Sequence, residues 1–352
     1  MPNVSTMTVR RRSWRIRDAV LRLREHGTKD QVYGLPVPPV ACRMGTASDL
    51  QLQLRDPSGT VSREHAELVP FELDGETVWK VNDLKSKNGL CADGEPLRAC
   101  VLRPGLEVRL GSLRLIAESE ELLVLLSVVR RCLGLAEDRQ EHVDQALQSL
   151  RDWAAQRAEL IVVGDGDLRP VVRRWHNLVI GADVPFTWCE PSEGTDAAAV
   201  VKTATTGTLC INTLQRQEAM AVVERVHRTE YAARPQLVLC TADPASAVKL
   251  KGGLEKPAVI QMPPLASRAS ELEDIVQEYT WEIARDLRLP RPELEHVQQL
   301  ATWSFRSLAE VEDDVLRLVM LRMWGLRAGA ARLRISHSSL ASWAQHRGLK
   351  TP

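Results

Sequence analysis

The sequence predicts a multidomain protein: an all-β sandwich first, an α/β sheet domain next, and a basic helical end. Three observations carry that prediction. Short β-type runs and turn signals alternate at close spacing up to about residue 117. Apolar strand-like runs then alternate with helical stretches, the pattern of a parallel α/β sheet. Beyond Asp314 the chain carries several arginines and no Asp or Glu.

Length and composition bound the rest. At 352 residues the chain exceeds the usual single-domain size. Its formal net charge of zero gives no whole-molecule argument for nucleic acid or membrane binding, so local charge has to decide. No run approaches the roughly 18 apolar residues of a membrane span, and no apolar stretch follows Arg10, Arg11 and Arg12 as in a secretory signal. The 7 cysteines are scattered, without a C-x-x-C pair or zinc-like spacing, which predicts reduced thiols in a cytoplasmic protein. No metal or cofactor is expected. Residues 1–16 read as a basic, solvated tail in which Ser5, Thr6, Thr8 and Ser13 are hydroxyls beside the arginine run.

From residue 17 to 117 the β-type stretches include Ala19–Leu23, Leu50–Leu54, Val78–Val81 and Leu113–Ile116. Asp56-Pro57-Ser58-Gly59, Asp74-Gly75, Asn88-Gly89, Asp93-Gly94 and Pro104-Gly105 are the turn signals between them. Closely spaced strands and turns of this kind predict a β-sandwich.

The same hundred residues resemble the forkhead-associated (FHA) family in four ordered motifs. These are Met44–Leu50, Thr60–Leu68, Asn82–Gly89 and Leu102–Gly111. The resemblance implies binding of a threonine-phosphorylated protein. It implies that Ser62 donates to the phosphate, that Arg63 and Lys87 line the pocket, and that Asn88 holds the peptide backbone. Gly45, His65 and Gly89 take structural roles, His65 by bracing the loop and Gly89 by supplying a turn that a β-carbon hinders. Charge-assisted bonds to such an anion are worth roughly 1.5–3 kcal/mol each. Thr46 stands where most members of the family have arginine, so the phosphate loses one strong donor. Two readings therefore stay open, a phosphothreonine reader and a phosphate-independent docking module, and the placement of Arg43, Arg63 and Lys87 distinguishes them.

Residues 118–131 read as a connector. Glu141–Ala158 then places Val143, Ala146, Leu147, Leu150 and Ala154 at helical spacing. Leu160–Gly164, Gly207–Leu214 and Gln236–Thr241 read as strands. Residues 132–264, with a helical lid over 265–325, resemble the AAA+ domain of sigma-54-dependent transcription activators. Val259–Leu265 and Trp303–Leu308 match its junction and lid motifs. The catalytic parts do not follow. Gly164-Asp165-Gly166-Asp167-Leu168-Arg169-Pro170 has two acids and no lysine where phosphates need a cationic cradle. Asn212 and Thr213 replace the acidic pair, and Glu193–Thr206 is too short for the loop that engages sigma-54. The expectation is a pseudo-ATPase, not an enzyme, that serves as a homo- or hetero-oligomeric scaffold. Arg306 reads as a lid arginine, solvated or packing the lid, with its phosphate partners gone.

Val311–Trp324 reads as a long helix. Residues 326–352 resemble the Fis-type helix-turn-helix that ends many such activators, in Ala330–Trp343. The resemblance makes Ser336 an N-cap candidate and puts Leu340, Trp343 and Ala344 on the core. Arg334, His337, Ser338, Ser339, Ser342, Gln345 and Arg347 are the DNA-binding candidates, with Ala341 beside them and duplex DNA as the partner. Arg322, Arg327, Arg332 and Lys350 add charge. Arg334 occupies a turn position where the family usually has glycine. The expected whole is a phosphothreonine-sensing transcription regulator. The alternative is a phosphorylation-dependent adaptor whose basic end contacts protein.

Overall fold

The structure is a computed structural model, and it describes residues 14–73, 75–231, 233–254, 257–289, 300 and 303–349. Residues 1–13 of the expected tail over 1–16, Asp74 of one turn signal and Lys350 lie outside the described residues, whereas Trp14 and Ile16 are buried and so are not part of a solvated tail. The chain forms two compact units. One comprises residues 1–163 and 172–261, the other residues 164–171 and 262–352.

In the first unit, eleven described strands build two sheets: β1 (Val20–Glu25), β2 (Val32–Gly34), β3 (Cys42–Gly45), β4 (Leu52–Gln53), β5 (Ala66–Leu73), β6 (Glu76–Asp83), β7 (Leu90–Ala92), β8 (Glu95–Leu97), β9 (Ala99–Val101), β10 (Glu107–Leu110) and β11 (Leu113–Ser119). One sheet has the order β2-β1-β11-β10-β7-β8 and the other β4-β3-β5-β6-β9. Alternation along each strand sends one face inward. Ala66 and Leu68 of β5 and Trp79 and Val81 of β6 point into the core, where Leu23, Met44 and Leu115 meet them. This is the predicted sandwich, with its strands near the predicted stretches.

Residues 118–131 are not a linker. Ser119 caps α1 (Glu120–Leu133) by accepting the Leu122 N–H, and eight residues of that helix are buried. α2 (Gln140–Gln156) packs on α1, with Trp153 fully buried. The sequence argument missed this because an amphipathic helix that joins two layers has the same composition as a connector helix.

The α/β part of the first unit contains β12 (Leu160–Val163), β13 (Phe186–Cys189), β14 (Thr208–Asn212), β15 (Gln236–Thr241) and β16 (Ala258–Gln261). All the pairings are parallel, in the order β13-β14-β15-β12-β16. The four residues of β12 are all buried, as a strand covered on both faces requires. Between the strands run α3 (Arg169–His176), α4 (Ala197–Thr203), α5 (Arg216–His227) and α6 (Pro244–Lys251). Asp196 and Asp243 cap α4 and α6 through two backbone N–H groups each.

The second unit contains α7 (Leu272–Asp286), α8 (Leu308–Leu333) and α9 (His337–His346). Helix α8 is broken at Gly325, whose φ of 71° and ψ of −178° interrupt the helical run. The predicted helix end at Trp324 coincides with that break. No helix among the described residues is long and apolar enough to cross a membrane.

Candidate functional site

The β3–β4, β4–β5 and β6–β7 loops meet at one end of the sandwich. Gly45 makes the approach possible, because a β-carbon there would lie 2.2 Å from the Arg63 carbonyl oxygen. Thr46 N–H then donates to Ser62 O at 3.2 Å and Ala47 N–H to Arg63 O at 3.1 Å.

His65 ties the second loop to the third. Its ring is fully buried, and Nδ1 accepts the Ser62 N–H at 3.0 Å. That contact assigns the proton to Nε2, which donates to Gly89 O at 3.0 Å. Gly89 sits at φ 70°, in the left-handed region that glycine enters without cost. Through these contacts Gly45, His65 and Gly89 hold the three loops together.

The recognition candidates hang on that brace. Ser62 Oγ accepts the Lys87 N–H at 3.0 Å, which leaves the hydroxyl hydrogen free to donate outward. Asn88 Nδ2 donates to Thr60 O at 2.7 Å, so this amide holds the second loop. Its Oδ1 accepts no hydrogen bond among the described residues.

Two carboxylates that sequence reasoning passed over shape the loops. Asp56 accepts from Val61 N–H at 2.6 Å and Ser58 N–H at 3.1 Å. Burial pushes its carboxyl up, but the Ser58 hydroxyl and the backbone donors outweigh burial and hold it below the ordinary value. Asp83 behaves alike: burial is outweighed by the Ser86 hydroxyl and N–H and by Arg98. The signal was present as Asp-Pro-Ser-Gly and as Asp83 three residues before Ser86, both of them Asx-type turn patterns.

The cations on this face divide into two sets. Arg43 is paired with Glu64 at 2.6 Å and Arg98 with Asp83 at 3.2 Å. Arg63, Lys85 and Lys87 are exposed and make no ion pair among the described residues. Thr46 is half-buried beside Ser62 and brings no charge. The face can therefore hold a phosphate-sized anion against a hydroxyl donor and loop cations.

The second unit carries the other candidates. Ser336 caps α9 by accepting the Ser339 N–H at 3.0 Å, as expected. Leu340, Trp343 and Ala344 are buried, and His337, Ser338, Ser339, Ser342 and Gln345 are exposed together along α9. Arg334 adopts φ 57°, the left-handed conformation at the end of α8, which explains a glycine preference at this position. Arg322, Arg327, Arg332 and Arg334 are exposed without an ion pair among the described residues, and Arg332 lies 4.4 Å from the Trp324 ring centroid.

Arg347 is a correction. Its guanidinium pairs with Asp314 at 2.5 Å and Glu310 at 3.3 Å and stacks over Trp303 and Phe305, leaving the side chain 16% exposed. It anchors α9 and is not a free DNA contact. Its place in a basic run gave no sign of acids 33 and 37 residues upstream.

The loop after β12 completes the picture. Gly166 has φ +75°, and a β-carbon there would lie 2.5 Å from Ser307 Cβ. Asp165 and Asp167 are exposed acids. Together with Met262, Arg306 and Ser307 they border a cavity of about 20 Å³, against the roughly 300 Å³ or more of a small-molecule site. Arg306 is exposed, and its N–H donates to Glu310 at 2.8 Å. Ser307 and Glu310 cap α8.

Residues 42–111 match the FHA domain family model. No curated protein matches the chain. Among solved structures, an FHA domain from a study of phosphothreonine-dependent interactions is 28% identical, covering 28% of this chain and 95% of that one (TM-score 0.24). The FhaA FHA domain, solved with the intracellular domain of another protein, is 29% identical over 27% of this chain and 96% of its own (TM-score 0.23). Mycobacterium tuberculosis EmbR, in complex with a low-affinity phosphopeptide, is 30% identical over 29% of this chain and 24% of its own (TM-score 0.24).

Proposed function

With an FHA domain at residues 42–111 as the premise, we propose that this chain is a cytoplasmic phosphothreonine reader that controls transcription through a DNA-binding end. The observation that carries the reading is the braced loop face, where Ser62 Oγ accepts the Lys87 N–H and Arg63 and Lys87 are exposed without an ion pair among the described residues. Phosphothreonine-dependent interaction is a property of one similar FHA domain, and this chain carries the hydroxyl and cations that such binding needs.

The α/β core acts as a scaffold and not as an ATPase. Support comes from the acids at 165 and 167, the close packing of Gly166 on Ser307 and the small cavity there. A core of this kind docks other copies or partner regulators. Without the parts that engage sigma-54, the protein modulates transcription by occupying DNA or by co-assembling with another regulator.

The DNA role rests on Arg322, Arg327, Arg332 and Arg334, exposed without an ion pair among the described residues, and on the exposed polar residues of α9. In this reading α9 enters a major groove and Arg322, Arg327, Arg332 and Arg334 meet phosphates. A phosphorylation-dependent adaptor is the competing reading, in which the same basic surface meets protein.

Two measurements test the proposal. The full chain is titrated against phosphothreonine peptides and their unphosphorylated twins, with Ser62→Ala/Arg63→Ala as control. Phosphate-dependent binding that the control loses supports the reader, and equal binding of both peptide sets sinks it. Retention on duplex DNA that falls steeply with salt supports the DNA role, whereas salt-insensitive or absent retention favours the adaptor.

A further inference from the structure

A cavity of about 340 Å³ opens in the first unit at the amino end of the parallel sheet. The residues that line it fix that position. Arg157 precedes β12, Pro185 precedes β13, Thr206 precedes β14, and Gln236 is the first residue of β15. It shares no lining residue with the small cavity beside Asp165 and Asp167. Its volume falls within the range of small-molecule sites, roughly 300–1,000 Å³.

The backbone around this cavity departs from regular geometry in three places. Arg157 ends α2 at φ 57°, and Thr206 follows the end of α4 at φ 65°. Both lie in the left-handed region, where glycine is the usual residue at a helix end. Ile180 belongs to a single π-helical turn, Asn177–Gly181, a form that collects at functional sites. The fold accounts for Arg157, whose guanidinium donates to the carbonyls of Tyr231 and Arg234 and stacks on the Tyr231 ring. Nothing comparable holds Thr206. It is β-branched, the kind of residue for which this conformation is most unfavourable, and its hydroxyl makes no hydrogen bond among the described residues.

The polar groups of the lining complement one class of ligand. Gln236 Nε2 donates to the carbonyls of Trp153 and Ala154 at 3.0 and 3.2 Å, which fixes the amide and leaves Oε1 an open acceptor. Asp183 is an exposed carboxylate with no hydrogen bond or ion pair among the described residues. Together with Thr206 they offer acceptors from three residues, and an ammonium group has three hydrogens to donate. Arg157 is the one cation of the lining and Asp183 the one anion, so the lining is neutral overall. A ligand that matches it carries both charges. We propose that this cavity binds a small aliphatic amino acid as its zwitterion. The ammonium meets Asp183, Thr206 and Gln236, the carboxylate lies toward the charge of Arg157, and the side chain packs on Ile180 and Val184. Thr206 keeps a side chain at a glycine position because its hydroxyl belongs to this site. The site gives the α/β core a ligand of its own, independent of the loops at the end of the sandwich.

The test uses the full chain and three probes: L-leucine, isoamylamine, which lacks the carboxylate, and isocaproate, which lacks the ammonium. Titration calorimetry measures affinity and thermal unfolding measures stability. Expected are saturable binding of L-leucine, a rise in unfolding temperature with it, and at least tenfold weaker binding of each truncated probe. Asp183→Asn should weaken L-leucine at least tenfold and leave the unfolding temperature of the free chain unchanged, because the side chain is exposed and unpaired among the described residues. Thr206→Gly should raise the unfolding temperature of the free chain and still weaken L-leucine, opposite signs that separate a site residue from a mere helix end. The site is overturned by no binding of L-leucine at millimolar concentration, by isocaproate or isoamylamine binding as tightly, or by an Asp183→Asn protein of unchanged affinity. A Thr206→Gly protein with higher stability and unchanged affinity overturns the part given to Thr206.

Discussion

Arg24 and Asp144 lie 120 positions apart and are joined by two parallel bonds, Nη1 to Oδ2 at 3.0 Å and Nη2 to Oδ1 at 2.6 Å. Both side chains are fully buried. The same guanidinium donates to Glu118 at 2.5 Å and to the carbonyl of Thr28 at 2.6 Å, and Arg22 balances Glu118 from the other side at 2.8 Å. Burial alone lowers the affinity of Arg24 for its proton, but its bonds to Asp144 and Glu118 raise it above the ordinary value. The pair joins a strand of the sandwich to α2, so the sandwich is continuous with the helices that follow it.

Arg24→Met should therefore destabilise the chain by about 3–5 kcal/mol, because it leaves Asp144 and Glu118 buried without their cation. Adding Asp144→Leu removes one of those orphaned charges and should recover part of the loss. Urea titration followed by tryptophan fluorescence measures both. A single-variant loss below about 1 kcal/mol would be too small for a buried bidentate pair and would rule this account out.

Asp56 gives a prediction about acid. Its carboxyl is held below the ordinary value in the folded chain. The stabilisation it contributes is then fully present above the unfolded value of about 3.9 and disappears as pH falls through the folded value. Asp56→Asn should lower stability at neutral pH by about 1–2 kcal/mol, since Val61 N–H and Ser58 N–H lose a charged acceptor. The variant should also show a flatter stability curve below about pH 4. Parallel curves for the two proteins would mean that Asp56 titrates as it does in the unfolded chain.

Much of this was legible in the sequence, for reasons that differ by region. The sandwich was visible because turn residues such as Gly59 and Gly89 are fixed by local backbone needs that a sequence prints directly. The strands at 160 and 236 were visible because short buried runs have few alternatives. The Arg24–Asp144 pair was not, since a lone arginine in an alternating strand looks solvated until its partner is folded against it. Arg347 was misread for the same reason: Glu310 and Asp314 lie at the start of α8, on another helix far back along the chain. Thr46 was recognised as a missing charge, but what faces it came only from the loops' geometry.

Arg347 and Arg334 should separate cleanly on DNA. Arg334 is exposed and unpaired among the described residues. Arg334→Ala should weaken duplex binding roughly uniformly across sequences and reduce the salt slope by about one. Arg347→Ala instead leaves Asp314 buried without its cation, while the Trp343 indole still donates to it at 2.7 Å. It should destabilise α9 by about 2–4 kcal/mol and change the Trp343 fluorescence even when no DNA is present. An Arg347→Ala protein with unchanged stability and a reduced salt slope would restore Arg347 as a phosphate contact.

The loop after β12 offers the last test, and it concerns nucleotide. Gly166 meets two constraints at once: φ +75° penalises any side chain, and a β-carbon would press on Ser307 Cβ at 2.5 Å. Gly166→Ala should therefore cost about 1–3 kcal/mol, an overpacking cost joined to a backbone one. Ser307 cannot retreat freely, since its hydroxyl accepts the Glu310 N–H and caps α8. A loop committed in this way has little freedom to open around phosphates, and its acids at 165 and 167 repel them. Millimolar magnesium-ATP should leave the unfolding temperature unchanged, because a ligand stabilises only by RT ln(1 + [L]/Kd) and no affinity means no shift. A rise of several degrees, or phosphate release above background, would show that the loop opens and that the scaffold reading of the core is wrong.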